Sequence, residues 1–251
     1  MKKLFNKSFK NDIYINSVLI LNNIWYVLFN NDNNLYLLEI NIIDNTTKYI
    51  KLFSDDKCKY NIENSIFINN NIYIIGDNIL IYNLNGELIR EINIKAQNLI
   101  NVKNEPYFLV KNNDEYKFIN ENDNILLTFK SDTKSKFDDI LYIDLYESQI
   151  YYSNDNIIFY KYDNSVEYFN IKTKKLTNFG YYYMIINNDK FIYYKNNNKY
   201  VHDFYNNDDY ILSCDILNEL NSEHRRTIFE LNNIYYLIHN VKNNELIIYK
   251  K

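Results

Sequence analysis

Glycine is nearly missing from this chain, with 3 residues in 251, alongside a single proline and two cysteines. So few glycines leave no room for a glycine-rich phosphate loop, and they force another residue to take the tight turns that glycine usually makes. Cys58 and Cys214 lie far apart with no CxxC spacing. That excludes a disulfide framework or thiolate zinc site and suits a reducing compartment. No apolar run reaches the roughly 18 residues that a membrane-spanning helix needs. The start, "MKKLFNKSFKNDIYIN", carries Lys2 and Lys3 with no apolar stretch behind them, unlike a secretory signal. A cytoplasmic protein away from membranes is the expectation. A basic excess is missing too: 28 Lys and Arg stand against 32 Asp and Glu, giving a net charge of −4. General nucleic-acid binding, which needs a basic face, is not expected.

What the chain has is apolar and aromatic residues, 47% and 17% of the total, with 27 Tyr and 15 Phe. Tyr, Phe, Ile and Val favour strands, and a chain of this length buries roughly 70–75% of its unfolded surface without metal or disulfide help. Asparagine makes up nearly a fifth of the residues and falls in pairs and triplets between apolar runs. Asn tolerates left-handed backbone angles better than most residues, so it is read here as the stand-in for glycine at turns.

The phrase "LNNIWYVLF" (Leu21–Phe29) returns as "LNNIYYLIH" (Leu231–His239), and a search for repeats finds six such units. Each has an apolar run, a polar pair and a second run. The second runs are anchored at Ile24, Ile72, Pro106, Ile157, Phe191 and Ile234, spaced 48, 34, 51, 34 and 43 residues, a mean of 42. Third runs such as "NLYLLEI" (Asn34–Ile40) and fourth runs such as "KYIKLF" (Lys48–Phe53) follow, and Asn85-Gly86 suits a two-residue hairpin. Four strands in about 42 residues make a propeller blade. The expectation is an all-β, six-bladed β-propeller, one domain over residues 1–251. Its last blade lacks a fourth strand, and "KLFNKSF" (Lys3–Phe9) closes the ring by pairing there. A sandwich of independent sheets is the alternative.

"NNNIYIIGDNILIYNLNGEL" (Asn69–Leu88) and "NIIFYKYDNSVEYFNIKTKKL" (Asn156–Leu176) resemble Kelch repeats, and "IYYSND" (Ile150–Asp155) is similar to bacterial IYYS-type propeller repeats. Both resemblances imply a propeller. Kelch-like propellers mostly bind proteins, which implies protein binding by analogy.

In a meander of four strands, the first–second and third–fourth turns share one end of the blade. The second–third turn and the run to the next blade share the other. The first–second turns look minimal: Asn22-Asn23, Asn70-Asn71, Asn187-Asn188 and Asn232-Asn233. The runs between blades are longer and irregular, as in Ser54–Asn64, Lys130–Ser148 and Cys214–Arg226, and function gathers on long loops. In the last of these, Ser213 or Asp215 could cap a short helix ending at Glu223, His224, Arg225 and Arg226. Arg225 and Arg226 are two of the chain's three arginines and offer planar forks to a carboxylate or phosphate. The competing reading is a solvated loop. Asp55 with Asp56, and Asp138 with Asp139, add acidic pairs to the same face. Converging pairs would suit calcium, but no DxDxDG-type loop is present, so neither metal nor cofactor is expected. His202 alternates with Tyr200 and Phe204 and reads as a packed imidazole. "NENDNI" (Asn120–Ile125) reads as a hairpin turn, and no catalytic group is named.

The reading is a monomeric, non-catalytic recognition module that binds a protein partner through the blade-crossing face. The alternative is a site for a small molecule or anion, conceivably hydrolytic, at the channel mouth.

Overall fold

A computed structural model describes residues 2–31, 33–54, 60–113, 115–130, 149–161, 164–182, 184–187, 189–196, 198–211, 226–231, 235–240 and 243–250. The chain forms two compact units, one of residues 1–93 and 212–251 and one of 94–211. Each unit holds three four-stranded antiparallel sheets, and these six blades make the fold class a six-bladed β-propeller. Among the described residues no helix is long and apolar enough to cross a membrane.

In the first unit one blade is β2 (Tyr14–Leu21), β3 (Ile24–Asn31), β4 (Asn34–Asn41) and β5 (Thr46–Ser54), and the next is β6 (Tyr60–Ile68), β7 (Asn71–Gly76), β8 (Ile79–Tyr82) and β9 (Leu88–Ile92). The third is built from both ends of the chain: β22 (Arg226–Leu231), β23 (Tyr235–Asn240), β24 (Glu245–Lys250) and, as its outermost strand, β1 (Lys2–Ser8). β1 pairs antiparallel with β24 from Lys2↔Lys250 to Ser8↔Glu245, which is the closure that the sequence predicts. The second unit contains β10 (Asn98–Val102) to β13 (Ile125–Lys130), with β11 (Glu105–Asn112) and β12 (Glu115–Ile119) between them. Next come β14 (Gln149–Ser153), β15 (Asn156–Tyr160), β16 (Ser165–Asn170) and β17 (Lys175–Tyr181). The last blade is β18 (Met184–Asn187), β19 (Lys190–Lys195), β20 (Asn198–Asp203) and β21 (Asp208–Ile211). First strands meet within a unit, β2 with β6 and β22 in one and β10 with β14 in the other.

The recurring phrase has a packing cause. A middle strand is covered on both faces, so both sets of alternating side chains must be apolar. In β3, Trp25, Val27 and Phe29 pack toward Leu237, Leu246 and Ile248 of the terminal blade, while Leu28 packs toward Ile62, Ile72 and Ile74 of the following blade. In β15, Ile157 and Phe159 join Phe118 and Phe129, and Ile158 and Tyr160 join Phe191 and Phe204. Trp25 and Tyr235, matching positions of the repeated phrase, touch edge-to-face with centroids 5.5 Å apart. Each such fully buried side chain contributes about 1.5–3 kcal/mol.

Asparagine holds the turns. First–second turns at Asn22-Asn23, Asn69-Asn70, Lys103-Asn104 and Asn154-Asp155 have φ of 50 and 68°, 49 and 62°, 53 and 68°, and 45 and 64°. Two positive φ values in a two-residue hairpin define the type I′ turn, whose twist matches the strands. The second pair sits one residue earlier than the sequence suggests, because Asn71 already pairs with Ile68 in the ladder. Likewise Asn187 pairs with Lys190 in the ladder, so it does not belong to the turn pair that the sequence suggests. Third–fourth turns follow a different rule. Asn41, Asn83, Asn120, Asn170 and Asp203 each accept turn N–H groups with a side-chain oxygen, for instance Asn85 N–H to Asn83 Oδ1 at 2.9 Å and Asn124 N–H to Asn120 Oδ1 at 2.9 Å. Asn85-Gly86 therefore does not form a two-residue hairpin. Gly86, at φ +84°, ends a three-residue loop that Asn83 closes by bonding Glu87 N–H. A Cβ on Gly86 would come within 2.5 Å of the Ile50 side chain. "NENDNI" is the hairpin turn expected.

Candidate functional site

Of the residues singled out by sequence, Asp55, Asp56, Asp138, Asp139, Glu223, His224 and Arg225 lie outside the described residues, as does the expected short helix. Arg226 opens β22 with its backbone opposite Asn240. The geometry that can be described converges elsewhere, at the turn end of the second unit.

β10 and β14 lie side by side, so their turns come together, and the turns around β19 complete the group. They line an open cavity of about 360 Å³, with Asn101, Lys103 and Asn104 from the β10–β11 hairpin. Tyr152, Ser153, Asn154 and Asp155 line it from the β14–β15 hairpin, and Asp189 and Tyr205 from the last blade. The sequence expectation placed function on the opposite end of the blades.

The two carboxylates here are held differently. Asp155 accepts the Lys172 ammonium at 2.5 Å and the Lys103 ammonium at 3.6 Å. The Tyr152 hydroxyl donates to it at 3.2 Å and accepts its backbone N–H at 3.3 Å. The Lys172 hydrogen bond foremost, with both lysine charges, keeps its carboxyl below the ordinary value. Asp189 goes the other way: burial pushes its carboxyl up, and the nearby Asp203 adds to this, against the partial help of Lys190 and Ser153. Ser153 donates to Asp189 Oδ2 at a long 3.4 Å.

Lys190 cannot give Asp189 its full charge, because its ammonium lies 3.2 Å from Asp203 in a pair whose side chains are 9% and 2% exposed. Asp203 is itself committed to its turn. It accepts the N–H groups of Tyr205 at 2.9 Å and Asn206 at 3.2 Å, and the Asn206 amide at 2.8 Å. This fixes Tyr205, whose carbonyl also accepts the Asn154 side-chain amide at 3.1 Å, while Phe204 N–H donates to the Asp189 carbonyl at 2.9 Å. The Tyr205 ring is 68% exposed at the rim of the cavity. Asn101 Oδ1, also in the lining, is buried with no hydrogen-bond partner.

The two described histidines, His202 and His239, are structural. His202 is buried among Phe179, Phe191 and Phe204, with centroids 4.6–5.4 Å away, and its Nδ1 meets Asp209 at 2.8 Å. His239 Nε2 meets Asn244 Oδ1 at 3.2 Å, and burial holds its pKa down, so it stays neutral. Among the described residues no group of three or more His, Cys, Asp or Glu is placed to hold a metal ion.

Sequence reasoning missed Lys103, Asp155, Asp189 and Tyr205. The available signal was the alignment of the first–second turns, in which charge replaces asparagine only from the third repeat onward among the described pairs.

No family model matches the chain. It is similar to the DNA mismatch repair protein MutL of Clostridium botulinum (strain 657, type Ba4), 29% identical over 161 residues, which is 62% of this chain and 24% of that protein. The chain therefore spans about a quarter of the length of the curated relative it matches. Among solved structures it is similar to BamB from Moraxella catarrhalis, with a TM-score of 0.47 and 8% identity over 96% of this chain and 84% of that one. It is also similar to the WD40 β-propeller domain of Doa1, with a TM-score of 0.49 and 9% identity over 100% of this chain and 97% of that one.

Proposed function

We propose that the chain is a non-catalytic recognition module, a single monomeric propeller domain of the cytoplasm that binds a protein partner through its blade-crossing segments. The observation that carries this reading is the inequality of its connections. Among the described residues the turns at one end are short, two-residue hairpins or loops closed by an asparagine or aspartate side chain. At the other, the runs from β13 to β14 and from β21 to β22 pass through residues 131–148 and 212–225. Long segments on a rigid scaffold are where binding residues gather. Asp55, Asp56, Asp138, Asp139, Glu223, His224, Arg225 and Arg226 supply charge to those segments. The Kelch-like repeats point the same way by analogy. Among the described residues Asp155, Asp203 and Asp209 are each engaged in a structural bond, which favours recognition over catalysis. A DNA-repair role is not carried over from the MutL likeness, which covers 24% of that protein.

The test is affinity capture with wild type and with the Arg225→Ala/Arg226→Ala variant, followed by binding measurements on the purified partner. A partner held by wild type and lost by an equally stable variant is expected. If the variant unfolds several degrees earlier, the arginines are structural and the crossing-face site is wrong.

A second reading, a small-molecule site, is favoured by the 360 Å³ cavity of the second unit, at the lower end of the range for such pockets.

A further inference from the structure

We propose that the cavity of the second unit binds a cationic N–H donor, an ammonium or guanidinium group, with Asp189 as its counter-charge and Tyr205 as its aromatic wall. This rests on the cavity being a ligand site, the second reading above, and names the ligand's chemistry.

The cations near the cavity are already matched. Lys103 and Lys172 both face Asp155, and Lys190 faces Asp203. Asp189 is the charge left over, with the Ser153 hydroxyl at 3.4 Å as its side-chain donor. A carboxylate met by one long side-chain hydrogen bond and by a lysine it shares with Asp203 selects a ligand that brings N–H groups and positive charge.

Tyr205 adds the second element. Its backbone is held at both N–H and C=O, and its exposed ring offers a π face to a cation at the rim. The volume of about 360 Å³ accommodates a small ligand.

Protonation agrees with this geometry. The groups facing Asp189 are Lys190, Asp203, Ser153 and the buried Tyr160 hydroxyl, and burial outweighs their help, so the carboxyl is raised above 3.8. A raised folded value means that ionisation costs the folded state as pH rises through the window above 3.8. Asp189→Asn removes that cost. The variant should fold and melt at or above wild type at neutral pH, with the gain shrinking as pH falls toward 3.8. A carboxylate ionised at such a cost is well suited to a cation, whose arrival offsets that cost.

The experiment titrates agmatine, glucose and inorganic phosphate separately into wild type and Asp189→Asn, with binding followed by NMR. Saturable binding of agmatine alone, weakened at least about tenfold in the variant, is expected. A parallel titration with the capped tripeptide acetyl-Gly-Arg-Gly-amide separates the sources. Binding as tight as agmatine assigns the cation to a partner's side chain, and failure to bind beside agmatine assigns it to a free amine. Preferential binding of glucose or phosphate, or equal agmatine binding by the variant, overturns the cation while leaving the cavity a ligand site. Binding of none of the three overturns the cavity reading itself.

Discussion

The two units make the same turn with different residues. Among the described residues, the hairpins that join first and second strands are Asn22-Asn23 and Asn69-Asn70 in the first unit, and Lys103-Asn104 and Asn154-Asp155 in the second. The eight φ values all lie between 45 and 68°, so backbone geometry does not ask for the change. Lysine is in fact a poor choice for this conformation, in which a Cβ crowds the following carbonyl and only Gly, Asn and Asp are at ease. Lys103 is there for its side chain, which reaches Asp155 across to the next blade. Lys174 shows the same feature at φ 56°, in the turn that sends Lys172 to the same carboxylate. Asparagine in the first unit holds the chain, whereas charge in the second unit frames a cavity.

The largest effect should come from breaking the strongest asparagine in the first unit. Asn244 sits at φ 51°, accepts from buried His239, donates to the carbonyls of Phe9 and Asn11, and receives Phe9 N–H on its own carbonyl at 2.9 Å. It fastens the segment after β1 to the terminal blade. Asn244→Ala should cost roughly 2–4 kcal/mol, the sum of left-handed strain and the lost bonds. Asn244→Gly, which keeps the backbone at ease, should lose less in urea denaturation. Equal losses would mean that the left-handed strain contributes nothing and the lost side-chain bonds account for the whole effect.

Substitutions at the turns should come next, with opposite signs in the two units. Asn22→Ala/Asn23→Ala should destabilise by about 1–2 kcal/mol per residue. Lys103→Asn, which exchanges a strained residue for a tolerant one and gives up an exposed ion pair, should leave the melting temperature unchanged or raise it. A fall as large as that of the asparagine variant would erase the distinction between the units.

Sequence showed the blades because burial on both faces leaves a pattern within each strand: runs such as "NIIFY" and "NLYLLEI" must be apolar at every position that meets a neighbouring blade. It showed the closure because β1 has the same alternation and stands outside every repeat. Turn registers were off at Asn70 and Asn187, since a run of asparagines does not say which two residues leave the ladder. The cavity was not legible at all. Its residues come from positions 101–104, 152–155, 189 and 205, and only the pairing of first strands brings the first two groups together. The crossing segments, which sequence favoured for their length and charge, lie outside the described residues. There the sequence argument stands by itself.

The smallest expected effect is also the one that most sharply separates the two cavity carboxylates. Asp155 is held below the ordinary 3.8 by Lys172 and Lys103, so its pairing contributes stability that is present above that value and lost as pH falls through the lower folded value. Its lysine partners are 73% and 74% exposed, so water and salt screen the pair. Asp155→Asn should lower the melting temperature at pH 7 by on the order of 1–2 °C, less in high salt, with no difference from wild type once the carboxylate is protonated in acid. Asp189→Asn should move it the opposite way at the same pH. Melting curves of both variants across pH decide the matter. If the two shifts share a sign, the carboxylates are equivalent, and Asp189 loses its standing as the unmatched charge of the cavity.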